Sequence, residues 1–202
     1  MDKEDYDHVV SLGYNCDIAN ALLHCAARDA SYPFDWTFSN MCTIIHMFQN
    51  RFLNFFRKEE FGAARYKGTP AMQYKGGIVY VHDGQFDYLM RDISFYTKQK
   101  EKYDRRTARL MELLDTGKRI LFIRYAYDDT IQQHIQFIRM LETVYEKSVF
   151  TLLVMNMKHD ENQESKIQYT NEVLQDRYEI GSYIRKKYNI PFYENLKKDY
   201  TE

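Results

Sequence analysis

The residues most able to do chemistry lie in "VVSLGYNCDIANALLHC", Val9 to Cys25. Cys16 follows an apolar run, a Ser-Leu-Gly step and a short polar turn, and it opens an Ala/Leu-rich segment of helical spacing. A helix start leaves its first N–H groups without intrahelical partners and carries the positive end of the dipole. A cysteine there is expected to hold a lowered pKa and act as a thiolate nucleophile. The same N–H groups are able to hold an oxyanion, and Gly13 lets the backbone approach a ligand closely. Asn15 is the expected cap, and Ser11 is an alternative nucleophile at the strand end. Cys25 and Cys42 fall inside helical apolar patterns and read as core residues.

A thiolate needs a base. "VHDG" places His82 and Asp83 at the end of a glycine-bounded strand, so His82 is the candidate base. Neighbours on a strand point to opposite faces, which leaves Asp83 and Asp35 as alternatives for the carboxylate that orients it. Arg106 and Arg109 share a helix face at i, i+3 and are candidates to clamp a phosphate or carboxylate. Arg124 ends an apolar strand, where a solvated arginine is not expected, and is a candidate substrate anchor or buried ion pair. His134 and His159 carry little weight, one on a helix face and one in a charged loop. No metal site emerges, since HExxH, paired CxxC and EF-hand patterns are all missing, and no cofactor is expected, since GxxxxGK[ST] and GxGxxG are missing too.

These residues need elements to carry them. "HVVSLG" (8–13), "RILFIR" (119–124) and "VFTLLVMN" (149–156) are apolar throughout, and "GGIVYVHDG" (76–84) is bounded by glycines. Helical patterns separate them, the longest spanning about 95–114 and closing at Gly117. Strands without polar alternation, separated by helices, indicate a parallel sheet covered on both faces. The expected fold is a single α/β domain over 1–202, three-layered, with a mostly parallel sheet. Residues 57–76 read as irregular and "MKHDENQESK" as an exposed loop. "SYPFDWTFSN" reads as a loop that packs on the sheet rim with Trp36 largely buried. Ligands of open parallel sheets gather beyond the strands' carboxyl ends, which selects Ser11 to Cys16, His82, Asp83, Arg124 and Asn156 without any motif; an antiparallel middle strand would instead move His82 to the opposite rim.

The formal net charge of −1 offers nothing global to nucleic acid or acidic lipid. No stretch approaches the roughly 18 apolar residues of a membrane helix, and the charged start "MDKEDYDH" lacks a signal-peptide core. With three cysteines and no CxxC pair, a soluble, cytoplasmic protein in a reducing compartment is expected.

"VSLGYNCDIANAL", "SYPFDW", "HDG", "YDRRTARLMELL" and "ILFIR" together resemble the DUF1796 family of papain-like cysteine peptidases, over roughly residues 8–125. That family occurs in bacteria and large DNA viruses, sometimes beside glycan-synthesis enzymes. The resemblance implies a Cys–His pair carried by Cys16 and His82, with Asp83 or Asp35 as third member. It also implies a papain-like α+β core, a cysteine helix against an antiparallel barrel, where the strand pattern itself indicates a parallel sheet. Three functions follow as expectations: a cysteine hydrolase or acyltransferase acting on a protein, peptide or glycan; a hydrolase or transferase of glycan or phosphate-bearing substrates using Ser11 and the arginines; and a non-catalytic binding protein.

Overall fold

The computed structural model describes residues 4–157, 166–170, 174 and 176–193. In chain order the elements are β1 (Glu4–Asp5), β2 (His8–Ser11), α1 (Asp17–His24), β3 (Thr37–Ser39), α2 (Met41–Gln49), a 3-10 turn (Lys58–Glu60), β4 (Phe61–Tyr66), β5 (Thr69–Tyr74) and β6 (Ile78–Tyr80). They continue with α3 (Phe86–Arg91), α4 (Ile93–Leu114), β7 (Arg119–Tyr125), α5 (Ile131–Val144), β8 (Val149–Met155), β9 (Ile167–Thr170), α6 (Arg177–Lys187) and β10 (Tyr188–Asn189).

Four strands form an all-parallel sheet in the order β2-β7-β8-β9. The register pairs Val9 with Leu121, and Leu121 with Thr151. Side chains alternate between its faces. Val9, Leu121, Ile123, Leu153 and Met155 meet Ile18 and Leu22 of α1 and Ile180 and Ile184 of α6. Val10, Ile120, Phe122, Phe150, Leu152 and Val154 meet Phe48 of α2 and Phe137 and Leu141 of α5. Both faces are thus covered, which is why these strands show no polar alternation. The parallel α/β expectation holds for 8–11, 119–125 and 149–155.

Three expectations need correction, the first being the loop reading of Thr37–Ser39, which form β3. The strand near 76–84 does not join the parallel sheet. Its core, β6, lies in a separate antiparallel sheet of order β3-β6-β5-β4, and the fourth parallel strand is β9. Residues 57–76 are not irregular, since they hold the β4–β5 hairpin. Lys67 and Gly68, which join its strands, both have positive φ (47° and 82°), the backbone of a two-residue type I′ turn. One apolar cluster runs from Val10 and Phe122 through Phe48 and Phe56 to Tyr74 and Tyr80, so both sheets share it.

The caps are local. Asn40 Oδ1 accepts from Thr43 N (2.8 Å) at the start of α2, and Asp92 Oδ1 accepts from Ser94 and Phe95 N at the start of α4. Thr130 and Gln133 form a capping box at α5. The loop "MKHDENQESK" lies, apart from Met157 and Lys166, outside the described residues, and so does His159. No described helix is long and apolar enough to cross a membrane.

Candidate active site at the carboxyl rim

The carboxyl end of β2 runs into the turn that delivers Cys16. Asn15 Oδ1 accepts from Asp17 N (3.0 Å), while Cys16 itself occupies the N-cap position, with φ −78° and ψ −6° and no side-chain capping bond. The thiol is half-buried. Burial pushes its pKa up, and the Asp17 carboxylate beside it adds to that. The lowering expected at the helix start is therefore outweighed. No histidine stands within hydrogen-bond reach of it among the described residues. Ser11 is fully buried, and its Oγ accepts from Gly13 N (3.2 Å), closing its own turn.

Arg124 is sealed in beneath this rim at 0% exposure. Its Nε and Nη2 donate to the two Asp129 oxygens (2.7 and 2.9 Å). Nη1 donates to Leu12 O and Ser39 Oγ (both 3.1 Å), and Nη2 also to Ser39 O (2.8 Å). A guanidinium has five N–H donors, and these five contacts use them all. Arg124 is thus the buried ion pair of the two sequence expectations, with no donor left for a substrate. It bolts β2, β3 and the β7–α5 turn together. Burial alone would raise the Asp129 carboxyl, but the bonds from Arg124 and from His134 (Nε2, 3.5 Å) offset this and bring it down to about 2. His134 is fully buried, with Nδ1 3.3 Å from the Tyr169 hydroxyl.

His82 is exposed, in the turn after β6. Asp83 is turned inward and does not orient it, for its carboxylate accepts from Lys102 Nζ and from the Tyr103 hydroxyl (2.5 Å). Asp35 is equally committed, accepting from Arg28 Nη2 and Tyr32 N (2.5 Å). Burial raises the Asp35 carboxyl, with Arg28 acting against it. Arg106 and Arg109 part company despite their spacing: Arg106 lies buried over the Tyr103 ring, and Arg109 Nη1 reaches Ser31 O (3.2 Å). Trp36 is only partly buried, with the Arg28 guanidinium over its ring at 5.4 Å, and Phe34 is the fully buried aromatic of that loop.

Sequence reasoning missed the aromatic shelf beside Cys16. Tyr14 has φ +72°, unusual for a bulky side chain and a feature of functional sites. Its ring stacks on Tyr127 (4.7 Å, 12°), which is 72% exposed, and meets Phe38 edge-on (5.8 Å). Phe38 in turn contacts Tyr66 (4.3 Å). The available signal was "RYAYDD", tyrosines directly following a strand that ends at the rim. The rim therefore holds a half-buried thiol whose pKa burial pushes up, two residues along the chain from a stack of aromatic rings. Such a surface suits a substrate that lays a ring or apolar group on the tyrosines. Among the described residues no group of three or more His, Cys, Asp or Glu is placed to hold a metal ion.

Residues 7–162 match the DUF1796 family, described as "Putative papain-like cysteine peptidase". The chain is also similar to "Uncharacterized protein R408" of Acanthamoeba polyphaga mimivirus, 29% identical over 133 residues, which are 57% of this chain and 60% of that protein. The match thus spans less than two thirds of the relative's length. No solved structure matches.

Proposed function

The chain belongs to the DUF1796 family, and from that membership and the place of Cys16 we propose that it is a cysteine-dependent hydrolase or acyltransferase working at the carboxyl rim of the parallel sheet. The observation that carries the reading is the position of Cys16 at the N-cap of α1, directly beyond β2, with the Tyr14–Tyr127 shelf beside it. Cys16 attacks a substrate carbonyl, and the positive end of the α1 dipole, at the helix start where the thiol sits, stabilises the oxyanion. The family resemblance makes His82, exposed on the five-residue turn between β6 and α3, the base of this reading: outside hydrogen-bond reach of the sulfur in the free protein, it takes the thiol proton through water or substrate and returns it to the leaving group. A raised thiol pKa fits an enzyme whose nucleophile is activated only on substrate binding. The substrate is a carbonyl compound bearing a ring or apolar group, and a peptide meets that description. The chemistry belongs in the cytoplasm, where the three free cysteines stay reduced.

The competing reading, Ser11 as nucleophile with Arg124 as anion anchor, has less support, because Ser11 is sealed and Arg124 is saturated. The test is labelling with a peptidyl vinyl sulfone, read by mass spectrometry. Cys16 is expected to be labelled faster than the exposed Cys42, and His82→Ala is expected to slow Cys16 alone. Labelling of Cys42 with an inert Cys16 would overturn the reading.

A further inference from the structure

Among the described residues, the Tyr80 hydroxyl of β6 and Nη1 of Arg106 on α4 are buried polar atoms without partners. The Tyr80 hydroxyl is on a side chain with 0% exposure, and Nη1 of Arg106 is on a residue with 9%. Both groups gather on one ring: the Arg106 guanidinium lies 5.2 Å from the centroid of Tyr103, and the Tyr80 ring meets it edge-on at 5.0 Å. Among the described residues Arg106 forms no ion pair. The nearest carboxylates are already used, Asp83 by Lys102 and Tyr103, Asp35 by Arg28 and Tyr32 N. Yet the Arg106 charge is felt at Asp35, Tyr80 and Tyr103, which places the guanidinium among them.

Buried charges are paired, and buried hydroxyls are hydrogen-bonded. Here Lys102 is paired with Asp83 and Arg28 with Asp35, while among the described residues the Arg106 guanidinium has no carboxylate partner and the Tyr80 hydroxyl no acceptor. We infer that Arg106 and Tyr80 form a binding site for a carboxylate group of a small ligand or substrate. A monoanion matches the one charge of the Arg106 guanidinium. A phosphate dianion would leave a negative charge buried next to Asp83 and Asp35. Arg106 offers N–H donors in the fork that suits a carboxylate, and the Tyr80 hydroxyl supplies a further donor. The cluster is not sealed, for Lys102 keeps 19% of its side chain exposed and His82 is exposed two residues beyond Tyr80. The inference goes beyond the hydrolase reading and needs neither Cys16 nor a reaction, so it stands or falls separately.

The experiment titrates the full chain with sodium acetate, and in parallel with sodium phosphate, at constant ionic strength held with sodium chloride. Thermal unfolding and the line width of ¹³C-acetate are followed. Acetate is expected to raise Tm saturably and to broaden with the protein. Arg106→Met should weaken its apparent affinity by about tenfold or more, the loss of a hydrogen bond to a charged group. Tyr80→Phe, which removes one oxygen without opening a cavity, should weaken it too and decides the matter if Arg106→Met does not fold. No saturable effect of acetate, an equal effect in Tyr80→Phe and the unsubstituted chain, or a response to phosphate alone would overturn the assignment.

Discussion

A Cβ on Gly13 would stand 2.8 Å from the carbonyl oxygen of Phe34. It would also stand 2.8 Å from Ser39 Oγ, and the backbone at Gly13 has φ +74°. The end of β2 and the Pro33–Trp36 loop therefore touch main chain to main chain, which is why Ser-Leu-Gly and Pro-Phe-Asp-Trp work as one unit though separated in sequence. Gly13→Ala combines a left-handed backbone with a clash against two fixed oxygens. It is expected to cost about 2–4 kcal/mol, read as a lower urea midpoint at unchanged slope.

In the same loop, the aromatic with the larger effect is Phe34, not Trp36. Phe34 has 0% exposure and stacks near Phe48 (6.0 Å), whereas Trp36 is partly in solvent. Phe34→Ala is expected to destabilise by about 3–5 kcal/mol, and Trp36→Ala by clearly less. Parallel thermal melts of the two variants check the order.

The parallel sheet was legible because its strands are buried on both faces, and burial writes itself into the sequence as unbroken apolar runs. The antiparallel sheet was not. "FGAARY" and "TPAMQY" have neither β-branched runs nor clean alternation, and the Lys67–Gly68 turn lacks the Asn or Asp that usually marks a type I′ hairpin. Missing that hairpin put β6, and with it His82, on the wrong sheet. At the candidate site, the position of Cys16 at a helix start was legible, but its thiol chemistry was not. The dipole argument is generic, while burial and Asp17 are particular to this turn and act the other way. Likewise Arg124 announced itself as buried, but its partners Ser39, Leu12 and Asp129 come from three separate segments.

Asp129 ties stability to acid. Its carboxyl titrates near 2 in the folded chain, below the ordinary value of about 3.9 for an unfolded aspartate. A depressed folded pKa means that the stabilisation is fully present above about pH 5 and is lost as pH falls toward 2. The amount is roughly 2 kcal/mol. Asp129→Asn is expected to flatten the acid limb of stability against pH between about 5 and 2. At neutral pH it should cost about 3–5 kcal/mol, because Arg124 is left buried without its counter-charge. Urea unfolding at a series of pH values measures both.

The Cys16 thiol offers the sharpest electrostatic test, because one neighbour is removable without disturbing the core. Burial is the larger cause of its raised pKa and Asp17 the next. Asp17 sits at the exposed first position of α1, where its Oδ2 accepts from Asn15 Nδ2 (2.5 Å). Asp17→Asn removes the negative charge and keeps the shape. The midpoint of iodoacetamide alkylation against pH should then move down for Cys16, and the rate at neutral pH should rise, with Cys25 and Cys42 replaced by Ala so that one thiol is followed. The expected profile before substitution is slow at neutral pH and accelerates only above the ordinary thiol range, since the thiolate alone reacts. An Asp17→Asn profile identical to the parent's would mean that the carboxylate does not reach the sulfur in solution. A parent profile already fast at neutral pH would mean that the thiolate forms without substrate.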